Sequence, residues 1–167
     1  MGTKEHKARA PKSIRIGIIT LSSTRTLSDD KSGHWIKKQA EKEGFSVVLH
    51  QIIPDDSSMI SQSVIEAIAE HRLQALLLTG GTGISPKDVT IEAITPLFKK
   101  VLSSFGALFA QLSYEEIDSA AMLSRAIAGV IGQTLVFAMP GSLAACKLAC
   151  KSLIFPELGH MAGHLLE

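Results

Sequence analysis

Residues 75–92 read Ala-Leu-Leu-Leu-Thr-Gly-Gly-Thr-Gly-Ile-Ser-Pro-Lys-Asp-Val-Thr-Ile-Glu. The apolar run 75–78 stops abruptly at glycines. This predicts a strand buried on both faces, as in a parallel sheet, rather than one with a solvated side. Gly80, Gly81 and Gly83 follow, three glycines in four positions. Such a run permits positive φ and lets a ligand approach the main chain. Thr82 sets one hydroxyl among them, and Thr90 reads as the N-cap of a helix over 91–98. Strand, glycine turn and helix are how α/β proteins present free amides and a positive helix end to an anion. The common phosphate fingerprints do not fit. Position 86 is proline where a dinucleotide loop has glycine or alanine, and there is no Gly-Lys-Ser/Thr. Residue chemistry alone leaves two readings, an oxyanion-binding loop and a structural glycine turn.

Upstream, residues 13–21 carry Ile14, Ile16, Ile18 and Ile19 and read as the first strand. The polar stretch 22–30 is long for a connection at a strand's carboxyl end, where long loops tend to be functional. Its Ser22, Ser23 and Thr24 are potential anion donors, whereas Asp29 and Asp30 read as solvated. Ser32 is expected to cap a helix over 33–43, with Gly44 as the C′ residue. Residues 45–50 form the second strand. Pro54, Asp55, Asp56 and Ser57 make a turn, with Asp56 or Ser57 capping a helix to about 71. Ile60, Val64, Ile65 and Ile68 lie at helical spacing along it. Three successive β–α units bring the carboxyl ends of the strands to one rim. The 22–32 loop, the Asp55 turn and the Gly80 loop are therefore expected to converge.

Downstream, Pro96 should break or bend the helix that begins at Thr90. Residues 102–116 continue as a helix, with Phe105, Leu108, Phe109 and Leu112 as core positions. Gly106 within it implies close packing or a boundary. The apolar runs 126–131 and 134–139, separated by Gly132-Gln133, predict a β-hairpin. Pro140-Gly141-Ser142 ends the second run, and a helix over 142–154 is followed by Pro156 and a final short helix. Cys146 and Cys150 read as buried thiols of a reducing cytoplasm. His160 and His164 stand one helical turn apart without a glutamate after His160, and read as surface histidines.

The composition suits a single domain at 13–167 behind a flexible basic tail at 1–12 in a chain of 167 residues. Hydrophobic residues make up 46% and charged ones 20%, while aromatics at 5% make the core aliphatic. Seventeen basic and sixteen acidic side chains give a net charge of +1, so no global field favours nucleic acid. No apolar run approaches the ~18 residues of a membrane span. No repeat, linker or secretory leader is visible in the sequence.

These elements point to a pocket of glycine amides, small hydroxyls (Ser22, Thr82, Ser142) and two loop carboxylates, Asp55 and Asp88. Carboxylates beside a phosphate cradle make sense chiefly with Mg²⁺ between them, since like charges otherwise repel. Lys87 would neutralise part of a substrate's charge. The alternative makes Asp55 a helix-capping turn residue and Asp88 a cap near Thr90.

Thr79-Gly-Gly-Thr-Gly83 followed by Pro86-Lys-Asp-Val-Thr90 resembles the signature of the MoaB/Mog family of molybdenum cofactor biosynthesis. Ser32-Gly33, Pro54-Asp55, Phe105-Gly106, Leu112-Ser113, Ser124-Arg125, Ala128-Gly129 and Pro140-Gly141-Ser142 fall in that family's order and spacing. The resemblance spans about residues 13–155. The run Phe137-Ala-Met-Pro-Gly-Ser142 and Glu115-Glu116-Ile117 are closer to the MoaB branch. The resemblance implies a three-layer α/β/α sandwich on a mostly parallel sheet with a β-hairpin, assembled as a homotrimer or homohexamer in the cytoplasm. It also implies adenylylation of molybdopterin with Mg-ATP, which releases pyrophosphate and prepares the pterin for a downstream molybdenum-insertion protein. The family's aspartates fall on Asp55 and Asp88, the expected Mg²⁺ and catalytic positions. Thr79, Gly80, Gly81, Thr82 and Gly83, with Pro140, Gly141 and Ser142, match the segments lining its pterin and nucleotide pocket. A molybdopterin-binding protein without catalysis is the other role the MoaB branch implies.

Overall fold

The structure, a computed structural model, describes residues 13–166. The tail expected to be flexible at 1–12 lies outside the described residues. Six strands form one mixed sheet: β1 (Arg15–Leu21), β2 (Ser46–Ile53), β3 (Ala75–Thr79), β4 (Lys100–Val101), β5 (Ile127–Ile131) and β6 (Thr134–Met139). Their spatial order is β2-β1-β3-β6-β5-β4. β1 pairs in parallel with both β2 and β3, and β3 in parallel with β6. β5 returns antiparallel to β6 and carries the short edge strand β4. The two-residue loop at Gly132-Gln133 is present, with Gly132 at φ +61° as a type II′ turn requires.

The helices are α1 (Lys31–Lys42), α2 (Ser57–His71), α3 (Thr90–Ile94), α4 (Ser103–Ile117), α5 (Leu143–Ala149) and α6 (Phe155–His164). A π-helical turn at Cys150–Ile154 runs α5 straight into α6, so the expected interruption before Pro156 does not occur. Pro156 falls in the first turn of α6, where its missing N–H costs nothing.

Alternation along the strands divides two cores. Ile16, Ile18, Leu77, Phe137 and Met139 face α1, α4, α5 and α6, packing on Ile36, Phe109, Cys146 and Leu158. Ile19, Leu21, Leu76, Leu78 and Val136 face α2 and α3, packing on Ile60, Val64 and Ile94. Helices on both faces make the three-layer arrangement expected, and β3, buried at every residue, is its central strand. Each Leu of that strand contributes about 1.5–3 kcal/mol by leaving water.

Local expectations failed where a side chain found a tertiary partner. Asp30, not Ser32, caps α1: its Oδ1 accepts from Gly33 N at 2.9 Å. Thr90 does not cap α3, which ends at Ile94 before a 3₁₀ turn at Thr95–Leu97 that holds Pro96. Asp56 caps α2, one of the two residues expected to do so. Ile65 and Leu108 are exposed at 52% and 47%, because their helices bury narrower stripes than the spacing implied. Gly106 fits because a Cβ there would stand 2.8 Å from Ala126 O. The two-residue β4 has too little pattern to be read from sequence.

Candidate functional site

The sheet changes direction of growth at β1, which has β2 on one side and β3 on the other. Ligands of such sheets bind beyond the carboxyl ends of the strands at this point. The glycine loop begins there. Gly80 and Gly81 adopt φ of +106° and +63°, and Gly80 N donates to Met139 O at 3.0 Å. A Cβ on Gly80 would come within 2.4 Å of Leu21 O, so only glycine allows the loop to lie against the end of β1. Thr90 fastens the loop from beneath: its hydroxyl donates to Gly80 O at 2.9 Å and its amide to Gly81 O at 3.0 Å. That is the work the Thr90 side chain does in place of the expected cap.

Both predicted carboxylates reach this loop. Asp55 Oδ1 stands 3.2 Å from the position a Gly81 Cβ would occupy, and Asp88 Oδ2 stands 2.7 Å from that of Gly83. They therefore flank the loop at points two residues apart. Asp55 Oδ2 accepts from Ser23 N at 3.0 Å and Ser23 Oγ at 2.9 Å. Asp88 Oδ2 accepts from Ser85 N at 2.9 Å. In the same loop the Thr82 hydroxyl is buried with no hydrogen-bond partner among the described residues. A buried, unpaired hydroxyl costs about 1–3 kcal/mol, which a loop built only for structure would avoid. Lys87 is exposed.

Arg125 braces the loop from outside. Its Nε donates to Thr82 O at 3.0 Å and Gly83 O at 3.1 Å, while its Nη1 and Nη2 fork onto the Glu92 carboxylate. The Arg125 hydrogen bonds hold Glu92 below the usual carboxylate range despite an opposing desolvation.

The second lobe is built around Pro140-Gly141-Ser142. Thr79, fully buried, donates to Pro140 O at 3.1 Å and meets Cys146 Sγ at 3.0 Å. Gly141 packs on Gly80, its Cβ position 3.2 Å from the Gly80 Cα. Ser142 Oγ caps α5 by accepting from Ala145 N at 3.2 Å. Ser32 Oγ donates to Gly141 O at 2.9 Å, tying the start of α1 to this turn. A cavity of about 310 Å³ opens here, lined by Arg25, Asp29, Lys31, Ser32 and residues 141–143. A cleft of about 350 Å³ exists at the amino ends of β3 and β6, around Arg72, Gln74 and Gln133. Its position at the opposite end of the strands from the glycine loop makes it the poorer candidate.

Ser22 acts within its own loop, its hydroxyl accepting from Thr24 N at 3.3 Å and Arg25 N at 3.1 Å. Asp30, expected to be solvated, is fully buried beneath that loop. Its Oδ2 accepts from Thr20 Oγ1 at 2.6 Å and lies 2.9 Å from His50 Nε2. Burial alone would raise its pKa, but the bonds from Thr20, His50 and Gly33 N outweigh it and hold the group below the usual range. Burial pushes the Cys146 and Cys150 thiols up, which fits inert core residues.

The family model described as "Probable molybdopterin binding domain" matches residues 17–160. The chain belongs to this family. Every carboxylate, glycine and brace just named falls inside the matched span. Over 162 residues this family member is 48% identical to "Molybdenum cofactor biosynthesis protein B" of Bacillus subtilis (strain 168), covering 96% of this chain and 95% of that one. The crystal structure of a molybdenum cofactor biosynthesis protein B superposes with a TM-score of 0.90 at 46% identity, covering 94% and 98% of the two chains. That of the tungsten cofactor synthesizing protein MoaB from Pyrococcus furiosus superposes with a TM-score of 0.85 at 40% identity, covering 95% and 100%. No described helix of this molybdopterin-binding-family chain is long and apolar enough to cross a membrane.

The sequence alone assigns no binding role to Arg25 or Lys31 and no structural role to Arg125. A basic residue in a long loop after β1 was the available signal for Arg25. The reach of Arg125 to the glycine loop spans 42 positions and carries no local trace.

Proposed function

We propose that this chain acts in molybdenum cofactor biosynthesis as a molybdopterin adenylyltransferase working in the cytoplasm. What supports the reading is the placement of two carboxylates, Asp55 and Asp88, against one glycine loop that holds a buried hydroxyl with no partner among the described residues. In the reaction an oxygen of the pterin's terminal phosphate bonds to the α-phosphorus of ATP. The bond from that phosphorus to the bridging oxygen breaks, and pyrophosphate leaves with the electron pair. A phosphate monoester has its second pKa near 6, so the nucleophile is already ionised at neutral pH and needs no side-chain base.

The donor set suits Mg²⁺, which binds through one or two carboxylates and substrate phosphates rather than in an all-protein cage. Held between Asp55, Asp88 and phosphate oxygens, Mg²⁺ would offset charge building on the transferring group. The protein's own part is positioning. Ser23 fixes the Asp55 rotamer, Ser85 N fixes Asp88, and Arg125 with Thr90 holds the loop amides in place. Arg25 and Lys31 put positive charge on the rim of the adjoining cavity, where phosphoryl groups are favoured.

We read the exposed apolar residues Tyr114, Ile117, Met122 and Leu123 as the face that joins copies into a trimer or hexamer. Residues 143–154 do not supply such a face, being largely turned into the core. Incubation with molybdopterin, Mg²⁺ and ATP tests the activity. Adenylylated pterin with pyrophosphate release supports it. Tight pterin binding with no pyrophosphate release assigns the chain the binding-only role instead.

A further inference from the structure

The loop at 22–30 supplies one wall of the cavity beside the Pro140-Gly141-Ser142 turn, yet it buries no apolar side chain of its own. Leu27, its one large apolar residue, is exposed. Polar contacts hold the loop instead, Ser23 on Asp55 at its start and Asp30 at its end. Asp30 collects three donors: Thr20 Oγ1 from β1, Gly33 N from α1, and His50 Nε2 from β2, which stands 2.9 Å from Oδ2. An ionised carboxylate only accepts, so the His50 ring carries its hydrogen on Nε2. The His50 side chain is 8% exposed and that of Asp30 fully buried. Gly33 closes over the pair, since a Cβ there would overlap both Asp30 Oδ2 and His50 Nε2. His34 adds a second tie. Its ring stands edge-on to His50 at 5.1 Å, and its Nε2 donates to Leu27 O at 2.8 Å.

Burying a charged pair is a poor route to stability, because desolvation offsets most of the attraction. What this pair fixes is geometry. Arg25, Asp29, Lys31 and Ser32 line the cavity, and all lie within five positions of Asp30. Arg25 Nη1 stands 4.0 Å from the position a Gly141 Cβ would occupy, and its guanidinium has no hydrogen-bond partner among the described residues. Its place is set by the loop backbone, through Arg25 N on Ser22 Oγ at 3.1 Å and through the Asp30 anchor. We propose that His50, acting through Asp30, is a positioning residue that seats this loop so that Arg25 meets a phosphoryl group of the substrate. The inference rests on reading the chain as a molybdopterin adenylyltransferase, where the pterin phosphate and ATP both bring such a group. His50 itself lies beneath the loop and does not line the cavity.

Equilibrium binding of ATP and, separately, of molybdopterin to His50→Leu, His50→Gln and Arg25→Ala tests this. His50→Leu is expected to weaken by about tenfold the ligand whose phosphoryl group Arg25 holds, the scale of one coupled contact. The other ligand keeps its affinity, which tells the two phosphates apart. His50→Gln, which restores an N–H donor to Asp30, should recover most of the loss. Such a loss raises KM and leaves kcat within about twofold of wild type, because the contact serves ground and transition states alike. Combining His50→Leu with Arg25→Ala should cost no more than Arg25→Ala alone, since both act through one guanidinium. Thr20→Val, which removes another donor to the same carboxylate oxygen, carries the comparison if His50→Leu does not fold. Wild-type affinity for both ligands in His50→Leu, or additive losses in the double variant, overturns the proposal. Failure of the wild type to release pyrophosphate defeats the catalytic reading instead, and leaves the binding series to decide this one.

Discussion

Ser23 and Asp55 grip each other from neighbouring loops. Asp55 Oδ2 accepts from both the amide and the hydroxyl of Ser23, and Asp55 N donates back to that hydroxyl at 3.1 Å. The Ser23 side chain therefore sets where one of the two carboxylates points. Ser23→Ala should lower kcat/KM for pterin adenylylation about tenfold, since small misplacements at a reacting centre are costly. Its Tm should fall by only about 2–4 °C, for roughly 1 kcal/mol of partly exposed hydrogen bonding. Steady-state kinetics beside a thermal melt separate the two effects.

Gly81 and Gly83 make a matched pair of tests. Gly81→Ala places a Cβ 2.4 Å from Thr90 Oγ1 in a residue at φ +63°, so the backbone itself is strained by about 1–2 kcal/mol before the clash is counted. Gly83 carries no such φ, and its Cβ would press on Asp88 Oδ2. Gly81→Ala is expected to lose both stability and activity. Gly83→Ala should keep its Tm within a few degrees and lose activity through the displaced Asp88. Melts and turnover of the two proteins check the contrast.

Asp30 gives a pH signature. Its carboxyl is held below the usual range in the folded chain, so the stability it supplies is complete above the unfolded value of about 3.9. That contribution is lost as the pH falls through the lower folded value. The Tm gap between wild type and Asp30→Asn should stay constant from pH 7 to 5 and narrow at more acid pH. Melting curves across that range measure it; a gap that widens on acidification contradicts the sign.

The reading of the fold from sequence succeeded where the local pattern and the tertiary outcome agree. The run 75–78 became β3, and Gly132-Gln133 became the hairpin turn. Asp55 and Asp88 were legible because each lies in a short turn beside a strand end, so topology alone brings both to the rim. Asp30 was not, because its partners Thr20 and His50 come from two other strands and turn a polar loop residue into a buried one. Thr90 was misread for the same reason: a hydroxyl that suits a cap was taken by Gly80 O.

Arg125 is a brace whose shape matters more than its charge. Its Nε serves two carbonyls while the fork serves Glu92, a geometry lysine does not reproduce. Arg125→Lys should loosen the glycine loop and weaken molybdopterin binding about tenfold. Glu92→Gln should cost less, because that pair is more than a third exposed and screened by solvent. Equilibrium binding of the pterin to both variants tests the order.

The role given to the two carboxylates is tested most directly by single-turnover formation of adenylylated molybdopterin from Mg-ATP. Wild type, Asp55→Asn and Asp88→Asn should be compared at saturating pterin. The expected result is product from the wild type, with each variant at least about a hundredfold slower while still binding the pterin. Wild-type rates in Asp88→Asn, or no product from the wild type, would contradict the account.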